Sequence, residues 1–288
     1  MICRYLALSS SRAAQRFGRR GRVIFRIADY TLSRKVPAIN QHMVPEVNAD
    51  LDSFASRTPN GAAFWRLAAA DFGLSADERS VLQRTFHDST ELDKWLPSGK
   101  TYRQRAYGCY GLSVADMHFT PIDEPPPYMQ SVDVNPLAGG IERRFEQIEP
   151  RHPATEPTRK IAAVVARSLV AAGVLSARRT PEVLVDAHYM AITAPGEPAP
   201  EGKHRDGLIA GSAHLIERRN LAKDTGISSI YDGAEPEVEL ASFQLRRPLD
   251  SYVFDDERVQ HFTDEIRRRI PFVRAYRNVL LLGFRRCD

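Results

Sequence analysis

The sequence predicts a mainly β fold with flanking helices: a double-stranded β-helix, or jelly roll, with a helical N-terminal region. Three observations predict it. From Glu182 onward the apolar pattern has a period of two, and no helical pattern interrupts it. A series of short strand candidates separated by turn residues follows there, which implies a sandwich or a barrel. A histidine and a carboxylate two residues apart, His204 and Asp206, stand at the edge of one of these strands, and among two-sheet folds such a pair fits a jelly roll best.

In chain order, residues 1–44 are a basic N-terminal extension. Residues 1–28 hold seven arginines and no Asp or Glu, so they carry +7 of a net +4 and leave the remainder at −3. Basicity therefore belongs to the arm, and the body gives no reason to expect a nucleic-acid partner. This Arg-rich, acid-free composition is shared by organelle transit peptides and basic tails; a disordered tail, or an over-long start with Met43 as the true initiator, fits it equally. Residues 45–288 read as a single jelly-roll domain with a helical N-terminal portion.

Residues 45–100 read as mostly helical, with one helix over Ala62–Ala70 and another capped by Ser75, the region ending before Pro97. Tyr102–Tyr110 and Met117–Thr120 are aromatic and strand-like, and Pro125–Pro127 marks a rigid loop. Ile161, Val164, Val165, Ser168, Leu169 and Ala172 form one stripe at helical spacing, so a helix is expected over Pro157–Ala172, with Gly173 as its stop. The strand candidates after it are Val183–Thr193, Leu208–Glu217, Ile227–Tyr231, Val238–Leu245, Ser251–Phe254, Val259–Thr263 and Asn278–Phe284.

At 288 residues and 43% hydrophobic the chain can bury a sizeable core. No apolar run approaches the roughly 18 residues a membrane helix needs, so no membrane partner is expected. Cys3, Cys109 and Cys287 are scattered without paired spacing, which argues against a disulfide framework or a thiolate zinc site and fits a reducing cytoplasm.

The stretch that carries chemistry is Glu201-Gly202-Lys203-His204-Arg205-Asp206-Gly207. The proline-rich run Ala194–Pro200 breaks the chain before it, and the apolar Leu208-Ile209-Ala210 follows. With a third ligand from further along, for which His261 is the candidate, His204 and Asp206 can hold one face of a ferrous ion and leave positions open, as in non-haem iron oxygenases. The bland alternative is a solvated loop histidine beside a turn aspartate. A kinase reading of His204-Arg205-Asp206 with Asp71-Phe72-Gly73 fails, because the order is reversed and Gly211 stands where an asparagine is required. His87, His118, His152, His188 and His214 have no partner at ligand spacing and read as surface or satisfied core residues, although His188 lies in the strand before the iron loop and could face the same cavity.

From about Tyr102 to Phe284 the chain resembles the bacterial Fe(II)/2-oxoglutarate-dependent dioxygenase family that contains L-isoleucine 4-hydroxylase and other free amino-acid hydroxylases. The matching text is Tyr128-Met129-Gln130-Ser131 with Asn135 and Gly139–Arg143, then Pro200–Gly207, Arg219-Asn220, Val259-Gln260-His261 and Arg277–Leu280. The resemblance does not extend over residues 1–100. The resemblance implies His204, Asp206 and His261 as iron ligands, Arg277 as partner of the distal carboxylate of 2-oxoglutarate, and dioxygen as second cosubstrate. It departs from the family after Arg219-Asn220, where a Gly-Gly pair is usual and Leu221–Gly226 stands instead; that loop is expected near the substrate entrance.

Arg277 also stands out by its own position. It opens the apolar run Val279–Leu282, whereas Arg267–Arg269 precede Pro271 and read as a solvated turn. Tyr128, Gln130, Ser131 and Asn135 surround a proline-stiffened loop and could hydrogen-bond a zwitterion, although Asn135-Pro136 is equally readable as a turn. The expected activity is hydroxylation of a free aliphatic or polar L-amino acid, with succinate and carbon dioxide as coproducts. The alternatives are the same iron chemistry on a peptide-bound or natural-product substrate, with hydroxylation, cyclisation or desaturation as outcome, and a metal-binding jelly roll without catalysis.

Overall fold

The computed structural model describes residues 61–96, 99–132, 134 and 139–287. The basic arm, Met43, the expected helical start over 45–60, Pro97 and Asn135 lie outside the described residues. Within them the order is β1 (Phe64–Leu67), α1 (Ala76–Asp88), β2 (Glu91–Leu92), β3 (Arg103–Ser113), β4 (His118–Pro121), β5 (Glu146–Gln147), α2 (Thr155–Ala171) and β6 (Glu182–Thr193). There follow β7 (Ala210–Arg219), β8 (Ile227–Asp232), β9 (Glu239–Gln244), β10 (Ser251–Asp255), β11 (Val259–Thr263) and β12 (Tyr276–Arg286). Each strand expected after Glu182 is present, displaced by two residues at most.

The strands form two sheets. The larger runs β1-β10-β7-β12-β6-β3-β2, with β4 and β5 also paired to β3; the smaller is β11-β8-β9. All pairs are antiparallel except β3 with β5. The period of two divides the side chains of the larger sheet between its faces. On β12, Leu280, Leu282 and Phe284 join a core with Leu82 and Phe86 of α1 and Ile161, Val165 and Leu169 of α2. Val279, of the opposite phase, packs instead with Leu215, Tyr252 and Phe254 of its own sheet and with Ile230, Phe243 and Val259 of the smaller one. The helices thus cover one face of the large sheet, and the small sheet closes on the other, which leaves the inter-sheet face for a cavity.

α1 begins where Ser75 predicts. Ser75 Oγ accepts from the Glu78 amide at 3.1 Å while Glu78 Oε2 accepts from the Ser75 amide at 2.9 Å, a reciprocal cap. α2 starts two residues before Pro157, which occupies the first turn where its missing N–H costs nothing, and Gly173 ends it at φ +77°. The helix expected over Ala62–Ala70 is not there. Phe64–Leu67 is an edge strand paired with β10, followed by a 3-10 turn over Ala69–Phe72. The alanines favour helix locally, but alternation of buried Trp65 and Leu67 with half-buried Phe64 and Arg66 satisfies the sheet edge, and the Trp65 indole donates to Ser168 Oγ on α2 at 3.1 Å.

Candidate functional site

His204 and Asp206 lie on the loop between β6 and β7, and His261 lies in the middle of β11. The two segments are tied by an isolated antiparallel bridge: the His204 amide donates to the His261 carbonyl at 3.1 Å and the His261 amide returns to the His204 carbonyl at 3.0 Å. Directly opposed residues place their side chains on the same side. As a result, one ligand atom from each of His204, Asp206 and His261 lies within 4.8 Å of the other two. Asp206 sits between the imidazoles, 3.6 Å from His204 Nε2 and 3.5 Å from His261 Nε2.

The donor set fits a divalent metal. His204 Nδ1 lies 2.8 Å from the Gly202 carbonyl, which accepts only, so Nδ1 carries a proton. Burial opposes a charge on this ring, but Asp206 and Glu201 push it up to about 9, so without a metal Nε2 is protonated as well and a bound ion would take the place of that proton. Burial opposes ionisation of Asp206, yet His261 and His204 override it and hold the carboxyl well below the usual range, so it is a charged ligand. Burial pushes His261 down to about 4, which leaves its ring neutral and able to coordinate. Three protein ligands on one side leave the remaining positions open to small molecules.

The loop that carries Asp206 is held from below by Asp256, whose two carboxylate oxygens accept from the amides of Asp206 at 3.0 Å and Leu208 at 2.9 Å. Sequence reasoning missed this residue, because Asp255-Asp256-Glu257 looks like any acidic turn. Asp256→Ala should weaken iron binding about 10- to 100-fold, the range for outer partners of metal ligands, with an unchanged far-ultraviolet circular dichroism spectrum. Titration of the variant with ferrous iron checks it, and an affinity equal to that of the unaltered protein would rule the positioning role out.

The metal group opens on a cavity of about 450 Å³ between the sheets, the size of a small-ligand site. Arg277, on the central strand β12, lines it and is 5% exposed. No carboxylate lies within 4.0 Å of its guanidinium among the described residues. Burial pushes it down to about 10, partly offset by Tyr252, so at neutral pH it remains a cation. Tyr252 and Thr263 stand in the same wall. A buried, charged fork without an anion is a site waiting for one.

The other expected residues are placed as follows. Tyr128 lines the cavity, its ring edge-on to His188 at 4.6 Å. Gln130 also lines it, but its amide donates to Asp206 Oδ1 at 3.3 Å and its carbonyl accepts from Arg143 at 2.7 Å, so it holds the carboxylate of the candidate metal group in place. Ser131 is exposed and outside the cavity lining. His188 does face the cavity. His214 is a satisfied core residue between Ser212 and Ser251, pushed down to about 3 by burial. The Leu221–Gly226 loop is not at the cavity entrance: Leu221 bridges Arg268, and Leu221 and Lys223 line a separate surface groove with Arg219 and Arg246. It backs the site from behind: Leu221 joins the apolar cluster of the cavity residues Met190 and Leu281, and at Gly226 an added Cβ would lie 3.1 Å from Ile266 and 3.6 Å from the Arg277 stem.

The family model described as 2OG-Fe dioxygenase matches residues 84–283, beginning earlier than the resemblance at Tyr102 because it takes in the end of α1. A comparison with curated proteins found no match. Among solved structures the chain is similar to a BsmA homologue from Methylobium petroleophilum, at 24% identity over 78% of this chain and 89% of that one, with a TM-score of 0.63. It is also similar to IDO from Bacillus thuringiensis, at 18% identity over 78% of this chain and 91% of the other, with a TM-score of 0.61. A third is the Fe(II)/α-ketoglutarate-dependent dioxygenase TqaL, at 14% identity over 78% and 82%, with a TM-score of 0.58. At these identities the likeness is one of fold.

Proposed function

The chain belongs to the 2OG-Fe dioxygenase family, an oxidoreductase using Fe(II), 2-oxoglutarate and dioxygen, and from that membership we propose that it hydroxylates a free aliphatic or polar L-amino acid at an unactivated carbon. The observation that carries this reading is the meeting, in one cavity of about 450 Å³, of a His204–Asp206–His261 group with Arg277, a buried guanidinium that no carboxylate of the described residues pairs with.

In this reading His204, Asp206 and His261 hold the iron, and Arg277 takes the distal carboxylate of 2-oxoglutarate through a planar, bidentate pairing. Bound with its cosubstrates, the iron supplies an oxidant able to hydroxylate an unactivated C–H bond, with succinate and carbon dioxide as coproducts. The chain's own work is positional. Asp256 fixes the Asp206 loop, Gln130 orients the Asp206 carboxylate, and the Gly202 carbonyl sets the His204 tautomer. The walls contributed by Met190, Val279, Leu281 and Phe254 keep bulk water from the reacting carbon. A cavity of this size, walled by both charged and apolar side chains, suits a small polar molecule better than a polypeptide segment. Among the described residues no helix is long and apolar enough to cross a membrane.

Anaerobic reconstitution with ferrous iron, followed by oxygen, 2-oxoglutarate and pooled free amino acids, tests the proposal. Succinate and a product 16 mass units heavier than one added amino acid are expected. Succinate stimulated by larger metabolites but by no amino acid would move the substrate to the natural-product or peptide class. No succinate under any condition would leave a silent metal-binding jelly roll.

A further inference from the structure

Resting on the amino-acid reading above, we propose that Arg105 and Arg143, with the ring N–H of His188, form the subsite that receives the carboxylate of the substrate to be hydroxylated. The first observation is one of charge. Arg103, Arg105 and Arg143 line the same cavity as the metal group, each less than a tenth exposed. The carboxylate that meets them is Asp93, 2.7 Å from Arg103 Nε and 3.7 Å from Arg105 Nη1. Asp186, in the same wall, is already matched by Arg285 at 2.8 Å and by the hydroxyl of Tyr107. Glu201 also lines the cavity and its charge reaches Arg143, but its ion-pair contact among the described residues is with His204, at 3.4 Å, and not with any of the three arginines. Guanidinium charge therefore exceeds carboxylate charge on this wall, a costly arrangement to bury unless an anion completes it.

A second observation is the direction of the hydrogen bonding. Arg105 Nη2 lies 2.8 Å from His188 Nδ1, and since a guanidinium only donates, Nδ1 is the acceptor and Nε2 carries the proton. Burial, reinforced by Arg105 and Arg143, keeps His188 well below its ordinary range, so the ring is neutral in that tautomer. Arg105 Nε, Arg143 Nε and His188 Nε2 are all buried with no acceptor among the described residues. Several donors without an acceptor make a site for an oxyanion, and the class of ligand is a carboxylate.

The cluster is also preorganised. The Arg105 guanidinium lies 4.1 Å above the Phe145 ring and that of Arg143 lies 5.0 Å from the centre of Tyr128. It is close to the chemistry as well, because a single amide, Gln130, spans from Arg143 Nη2 to the metal-binding carboxylate of Asp206. A carboxylate seated here puts carbons only a few bonds away beside the metal. A free amino acid meets that requirement, and a residue inside a peptide, having no α-carboxylate, does not.

The test uses the full chain with ferrous iron, 2-oxoglutarate and oxygen, and reads succinate above the rate without added substrate. The panel is the proteinogenic L-amino acids, their primary amides, and amine-free carboxylic acids of the same carbon skeletons. At least one acid should stimulate, with kcat/KM about 100-fold or more above its amide, since the amide leaves buried cations unmatched. Arg105→Gln and Arg143→Gln should each raise the KM of that acid at least about tenfold and narrow the acid-to-amide ratio, with the 2-oxoglutarate KM moving less than about twofold. An amide as good as its acid, or stimulation by none of the carboxylates, would overturn the subsite. Stimulation by amine-free acids but not by amino acids would end the amino-acid reading and leave the subsite standing. If both glutamine variants fail to fold, the acid-to-amide ratio of the unaltered enzyme decides.

Discussion

Replacing His204, Asp206 or His261 by alanine is expected to abolish turnover and to lower ferrous-iron affinity by more than about 100-fold, beyond the loss seen on removing an outer partner of a ligand. The fold should persist. None of the three side chains belongs to the apolar clusters that join the sheets and helices, and each is half-buried at the cavity rim. The His204–His261 bridge that aligns them is made by backbone groups, which alanine retains. In the metal-free protein Asp206 is balanced by protonated His204, so its removal leaves a ring that can lose its proton rather than a stranded charge. Iron titration, succinate formation and circular dichroism together check this. A variant with normal iron affinity and normal turnover would take its residue out of the metal site.

How much of this was legible in the sequence depended on whether the signal was local. The strands after Glu182 declare themselves because one face of each is apolar, and a period of two survives in a short window. β1 does not, because its strand state comes from pairing with β10 some 190 residues on, while the alanines on either side of it favour helix. The His204–Asp206 pair is legible as a motif. His261 is not recoverable from spacing, since what brings it to the pair is a bridge between a loop and a strand of the smaller sheet. Arg105 and Arg143 are hidden among 40 basic residues, for charge alone does not reveal burial. A trace was present: in a strand over 103–113 the alternation puts Arg103 and Arg105 on the face of Tyr107, and two arginines in phase with an aromatic on a central strand call for a buried anion.

Arg277→Ala is expected to raise the KM for 2-oxoglutarate at least about tenfold, with iron binding retained and Arg277→Lys intermediate. Among the arginines of the last segment it is the one that faces the cavity. Arg267 is exposed and pairs with Asp224 at 2.8 Å, Arg268 donates to the Ala194 carbonyl at 2.7 Å, and Arg274 lies over the Tyr276 ring at 5.2 Å. Arg277 stands on β12 opposite Ile192 of β6 and Arg218 of β7, in the middle of the large sheet, so the register fixes its stem and leaves its head in the cavity. A carboxylate bound there is desolvated and held by two parallel hydrogen bonds, and truncating one partner of such a pair costs roughly 2 to 5 kcal/mol. Lysine restores the charge without the fork, hence the intermediate value. Because no carboxylate of the described residues pairs with Arg277, alanine removes an uncompensated buried cation, and the melting temperature of the cosubstrate-free protein should not fall as it would on breaking an internal ion pair. Added 2-oxoglutarate should then stabilise the unaltered, iron-loaded protein more than the variant, since a ligand stabilises only in proportion to its binding. Arg274→Ala serves as the control, with the KM within about twofold of normal. If Arg274→Ala shows the large effect and Arg277→Ala does not, the cosubstrate anchor lies three residues earlier and β12 is out of register with the site.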